Sequence, residues 1–160
     1  MVKRIYILLL ILIIITTSLS IIKISDNKII IKNNKYGEII IDKINLNEEL
    51  FPINSDENTI ERHVSILKDS TKELIIIAAH SGTGPLAYFQ NLDKLEINDE
   101  IILVIKNKQS IYKVKDIWEE KKNGHININK EKTNQLILTT CSPNKEGYQL
   151  VINCIIKESI

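Results

Sequence analysis

A chain of 160 residues with a net charge of +1 suits one domain and carries no electrostatic footprint for nucleic acid. Aromatic residues make up only 5 % and do not interleave with a basic stripe. The two cysteines and three histidines lack any Cys-x-x-Cys or His-x-x-x-His spacing, so no metal or cofactor is expected. Met1–Arg4 brings two positive charges, and Ile5–Ile22 follows without any charge. That is the length and character of a transmembrane helix, with Lys3 and Arg4 holding the N-terminus in the cytoplasm (residues 1–4) and the remainder outside. The rival reading is a cleaved signal peptide ending near Ser18-Leu19-Ser20. Residues 23–35, rich in Lys and Asn, read as a stalk, which leaves 36–160 for one folded domain.

Within that domain Tyr36–Ile44 reads as a first strand, and Asn45–Asn58 as polar turn. Asp56 is placed to cap a short helix over Glu57–His63. Val64–Leu67 is a short strand, and Leu74–Ala79 an apolar one ending at His80 and the turn Ser81-Gly82-Thr83-Gly84. This glycine pair matches neither phosphate-loop pattern. Pro85 predicts a helix over Leu86–Leu92. Glu100–Lys106 and Ser110–Trp118 form a hairpin turning at Asn107-Lys108-Gln109, and Glu119–Asn134, which contains His125, reads as a polar loop. His63 and His125 are expected to be bystanders. Gln135–Cys141 and Tyr148–Ile156 are strands on either side of a Ser-Pro-Asn turn. Many short strands with turn signals and only short helices predict an all-β closed barrel.

Two strands thus end in chemistry, one in His80 and one in Cys141. A strand-end thiol faces substrate while a rigid element holds it, and a histidine beside it supplies a proton donor, the constellation for thiolate catalysis. The alternation of the last strand puts Gln149, Val151 and Asn153 on one face and Leu150, Ile152 and Cys154 on the other. Cys154 is therefore expected in the core, unbridged to Cys141.

Four stretches resemble the sortases, cysteine transpeptidases of Gram-positive surfaces. Leu138-Thr139-Thr140-Cys141 is similar to their Thr-Leu-x-Thr-Cys signature, with Ile137 in place of its first threonine. Ile-Ile-Ala-Ala-His80-Ser-Gly resembles their histidine strand, Tyr88–Asp99 the segment that follows it, and Lys35–Ile41 their first barrel strand. The resemblance implies a closed barrel of about eight strands behind an N-terminal transmembrane helix, on the outer face of a plasma membrane. It also implies cleavage of an LPXTG-like sorting signal through a Cys141 thioester, and transfer to an amine of a cell-wall precursor or a pilin lysine. Cys141 and His80 would be catalytic, and Thr139, Thr140, Ser81 and Tyr148 would shape the substrate groove, with the Glu119–Asn134 loop contributing. Expected partners are a sorting-signal-bearing surface protein or pilin, the amine acceptor and membrane lipid. The residues alone support a cysteine acyl transferase or peptidase.

One departure stands out. Sortases resemble one another in an arginine facing the thiol from the last strand, and Gln149 occupies that position here. Glutamine retains two N–H donors without the charge or the planar fork. It is expected to donate to the oxyanion, with Lys145 as the rival cation. A catalytically weak barrel that only binds sorting-signal peptides is the alternative function.

Overall fold

The computed structural model describes residues 36–128 and 134–159. Eight strands make one sheet: β1 (Gly37–Ile41), β2 (Leu46–Leu50), β3 (Ser65–Ile66), β4 (Leu74–Ala78), β5 (Glu100–Ile105), β6 (Lys108–Lys121), β7 (Gln135–Cys141) and β8 (Tyr148–Ser159), in the order β2-β1-β5-β6-β8-β7-β4-β3. No ladder among the described residues joins β2 to β3, so the barrel is nearly closed rather than closed. All the described residues belong to one compact unit. The expected helix over Ile5–Ile22 and the stalk lie outside them. Among the described residues no helix is long and apolar enough to cross a membrane.

Alternation builds the interior. Ile39 and Ile41, Leu103, Leu136 and Leu138, and Ile152 each point inward from their strand, and Phe89 and Leu92 close the core from the segment after β4. A Cβ at Gly37 would collide with the Val104 carbonyl oxygen, so glycine is what lets β1 lie this close to β5. Lys106 and Asn107, both at positive φ (50° and 65°), form a two-residue turn between β5 and β6, tighter than the loop expected.

The helices differ most from expectation. Among the described residues they are two short 3-10 turns, Asp42–Ile44 and Leu92–Lys94. Glu57–His63 is turn instead of helix, because the Asn58 side chain bonds the backbone of β3. It accepts from Ile66 N–H (2.8 Å) and donates to Ile66 C=O (2.8 Å), as a neighbouring strand would. Leu86–Asn91 is turn as well, drawn back by Phe89 N–H donating to the His80 carbonyl. Asn45–Leu50 is not all loop: β2 pairs with β1 and buries Leu46 and Leu50.

Strand β6 is longer than expected and contains an irregularity. Val114 pairs with Cys154 but Asp116 pairs with Asn153, so Lys115 is an extra residue on β6, a bulge. Beyond it the strand continues past Trp118 to Lys121, with Glu120 opposite Gln149 and Lys121 opposite Tyr148.

Candidate active site

The site is built where strands stop. β4 and β7 form the one parallel ladder among the described strands, in register Ala78↔Thr139. Parallel strands leave a sheet at the same edge, so His80, just after β4, and Cys141, the last residue of β7, emerge together. β8 runs antiparallel to β7 and begins at that edge, with Gln149 opposite Cys141. Side chains directly opposite share a face. Glu120, Gln149 and Cys141 thus form a row across β6, β8 and β7.

Hydrogen bonds fix this edge beyond the last ladder positions. Thr140 Oγ1 donates to the Ala79 carbonyl (2.7 Å), Thr139 Oγ1 to the Leu150 carbonyl (3.0 Å) and Ser81 Oγ to the Cys141 carbonyl (2.9 Å). The backbone that carries the thiol is thereby tied to the backbone that carries the histidine.

A groove of about 490 Å³ runs over this face, within the size range of small-ligand sites. His80, Cys141, Gln149, Thr139 and Thr140 line it, beside a largely apolar surface of Leu67, Leu74, Ile76, Ala78, Ile126 and Ile128. Under that surface Ile76, Ile137 and Val151 make a small second core with Trp118 packed against it. Five of the seven expected site residues therefore meet in one groove. Tyr148 instead lines a second cavity that also touches Cys141, with the Lys145 ammonium 3.6 Å from its ring centre. Ser81 lines neither and holds the Cys141 backbone.

Gln149 is buried, and both of its N–H bonds are used. Nε2 donates to Glu120 Oε1 and to the His125 carbonyl, each at 2.9 Å. The Glu120 carboxylate in turn accepts from the Asn127 backbone N–H (3.1 Å) and from Asn127 Nδ2 (2.9 Å). Burial pushes the Glu120 carboxyl up, but the bonds from Gln149 and Asn127 outweigh it and hold the group below the usual carboxylate range. This network ties the segment after β6 to the sheet and makes it one wall of the groove.

Two residues that sequence reasoning passed over belong here. His125 lines the groove, and its backbone carbonyl accepts from Gln149. Lys122, just past β6, reaches Cys141: its Nζ lies 3.5 Å from Sγ. The signal for both was the run Trp118-Glu119-Glu120-Lys121-Lys122, which contains no turn residue before Asn123-Gly124. Read as continuing strand, it puts Glu120 and Lys122 on the face of Trp118. His63 lies elsewhere, its ring against Phe51 at 4.7 Å.

Both cysteines are free. Cys141 is exposed on the groove face, whereas Cys154 is sealed on the interior face, where burial pushes its thiol well above the ordinary range. Among the described residues no cluster of His, Cys, Asp and Glu is placed to hold a metal ion.

The family model for the Sortase domain matches residues 39–156. Among solved structures the chain is similar to sortase C1 from Streptococcus agalactiae, with 25 % identity and a TM-score of 0.65 over 79 % of this chain and 69 % of that one. It shares its fold with a lid mutant of sortase A from Corynebacterium diphtheriae (20 % identity, TM-score 0.66, 77 % and 70 % covered). The same holds for sortase C from Streptococcus pneumoniae, described for its catalysis and pilin substrate specificity (18 %, 0.67, 79 % and 70 %). No curated protein matches the sequence.

Proposed function

The chain belongs to the sortase family of cysteine transpeptidases, and from that premise we propose that it cleaves an LPXTG-like sorting signal through a thioester on Cys141 and passes the acyl group to an amine of a cell-wall precursor or a pilin lysine. The observation that carries this reading is the convergence of Cys141 and His80 at one end of a parallel strand pair, both lining an apolar groove. Such a groove accepts the leucine and proline side chains of a sorting signal, and the polar edge receives the scissile bond. The pilin branch takes its motive from the likeness to the pneumococcal structure.

The thiolate of Cys141 attacks the carbonyl carbon, and the carbonyl π pair moves onto oxygen. His80, as imidazolium, gives its proton to the departing amine when the tetrahedral adduct collapses to the thioester. An acceptor amine then attacks the thioester, returning its proton through His80, and the thiolate is released. Gln149 holds the groove wall through Glu120 and His125, and donation to the oxyanion requires it to give up one of these bonds. Ile5–Ile22 anchors the chain in the plasma membrane with its N-terminus in the cytoplasm, and the barrel acts outside.

A peptide library presented to the full-length protein with triglycine tests the reaction. Ligated product is expected; hydrolysis alone would make this a simple peptidase. A vinyl sulfone built on the best sequence separates an enzyme from a peptide-binding barrel, since a Cys141 adduct that depends on His80 requires a working site. For the location, the protein is expected to pellet with membranes, resist carbonate extraction and lose its barrel to protease added outside the cell. A mature form starting near Ile21 in the medium would establish a signal peptide instead.

A further inference from the structure

The site described so far has a nucleophile and a proton donor but no committed cation. Gln149 stands at the position where an arginine is expected, and both its N–H bonds are directed at Glu120 and His125. Lys145, in the loop before β8, lies over the Tyr148 ring. Lys122 is the lysine that touches the thiol, with Nζ 3.5 Å from Sγ. Its backbone is fixed as well: its N–H donates to the Gly147 carbonyl at 2.9 Å, extending the β6–β8 ladder past Lys121↔Tyr148. Lys122 also lines both the groove and the second cavity, as Cys141 does, so it stands where the two meet. By alternation it shares the face of Glu120, whose row across the sheet is Gln149 and then Cys141.

We propose that Lys122 is a catalytic residue, the cation that position 149 of the last strand does not supply, donating to the Cys141 sulfur in the free enzyme and to the scissile carbonyl oxygen as that oxygen becomes negative. When Sγ bonds to the carbonyl carbon, the oxygen stays attached to an atom bonded to Sγ, within reach of a donor already beside the sulfur. The π pair that moves onto oxygen is met by an ammonium N–H. When the pair falls back and the C–N bond breaks, the leaving amine takes its proton from His80, and Lys122 keeps its own throughout. A charged donor suits this task better than the neutral amide of Gln149, since charge-assisted hydrogen bonds are roughly twice as strong as neutral ones. The β6–β7 connection would then supply the charge that the resemblance places on β8.

This inference rests on Cys141 as the nucleophile. The test compares two reactions of that thiol in the full-length protein: acylation by p-nitrophenyl acetate, which passes through an oxyanion, and alkylation by iodoacetamide, which does not. For Lys122→Met, the ratio of acylation to alkylation rate is expected to fall roughly 10²-fold, the scale of one oxyanion donor, while Lys122→Arg keeps it within about tenfold of the parent. Because alkylation is read on the same molecules, a change in access to the thiol moves both rates and leaves the ratio alone, and a melting temperature for Lys122→Met equal to the parent's shows that the fold is intact. A ratio for Lys122→Met within about threefold of the parent overturns the proposal, as does an equal loss in Lys122→Arg. Failure of the nucleophile assignment looks different: the acetyl group, located by mass spectrometry on the parent protein, would be found on a residue other than Cys141.

Discussion

Strands β7 and β8 carry one cysteine each, and the two faces of that strand pair give them opposite chemistry. The interior face presents Leu136, Leu138, Leu150, Ile152 and Cys154, none more than 5 % exposed. On the groove face Ile137 and Val151 are sealed, and the face opens through Thr139 to Cys141 and Gln149 at the strand ends. Composition hardly separates the two cysteines, since both sit among β-branched and aliphatic neighbours. Position does: burial pushes the thiol inside the barrel above its ordinary range, while the thiol at the strand end is exposed beside Lys122 and the groove that His80 lines. The side of the pleat and the distance from the strand end set which thiol a substrate can meet.

The sharpest test of that contrast is removal of the outer thiol. Cys141→Ala is expected to abolish acyl-enzyme formation, with the melting temperature preserved because the side chain is exposed. His80→Ala should lose nearly as much activity, since residues that act as a unit do not contribute additively. Transpeptidation surviving in Cys141→Ala would break the comparison outright. The next effect in size concerns the wall. Gln149→Leu takes one donor from Glu120, which keeps those of Asn127, and one from the His125 carbonyl, a cost of about 1–3 kcal/mol, or roughly fivefold to 150-fold in kcat/KM if it falls on substrate binding. Single-turnover kinetics with a sorting-signal peptide reads this, and an unimpaired Gln149→Leu would remove Gln149 from the site. On the other face, Cys154→Ala should cost about 1 kcal/mol from the cavity it leaves, seen as a lowered melting temperature, with full activity. Fast labelling of native Cys154 by a thiol reagent would show that the interior face is not sealed.

The smallest effect is one of pH. Glu120 has its carboxyl held below the ordinary value of 4.5 by Gln149 and Asn127 against the opposing push of burial. A depressed folded-state value stabilises the wall above the unfolded value, and that contribution is lost as pH falls through the folded one. Protection of the Asn127 amide, its exchange rate set against the intrinsic rate at the same pH, should therefore fall on acidification below the ordinary value of 4.5, ahead of protection at Ile152 in the barrel. An equal loss of protection at both residues would mean that wall and barrel open together.

Much of this was legible in the sequence because it rests on local alternation. Gln135–Cys141 coincides with β7 to the residue, and the opposed faces of β8 follow from period-two reading of Tyr148–Ile156. His80 and Cys141 were readable because each ends an apolar run. Side chains that replace backbone partners were not readable: Asn58 takes the place of a strand beside Ile66, so a stretch with a good cap and helical spacing becomes turn. The lysine beside the thiol was hidden for a different reason. Apolar residues in its strand end at Trp118, but pairing with Gln149 and Tyr148 carries β6 on through charged positions.

The bulge at Lys115 decides which side of the sheet those charged positions occupy. Before it, Tyr112 and Val114 point into the barrel; after it, residues of the same even numbering, Asp116, Trp118 and Glu120, lie opposite Asn153, Val151 and Gln149 on the groove face. The single extra residue works like a shift in reading frame: one half of β6 is spelled for the core and the other for the site. Deleting it would leave Val114 opposite Cys154 and bring Asp116 directly after it, still opposite Asn153, so Trp118, Glu120 and the position of Lys122 would keep their face. Deleting Ile117 instead would keep Trp118 and Glu120 in register only by turning Asp116 onto the interior face, so among single-residue deletions along β6 the loss of Lys115 should be far milder than the loss of Ile117.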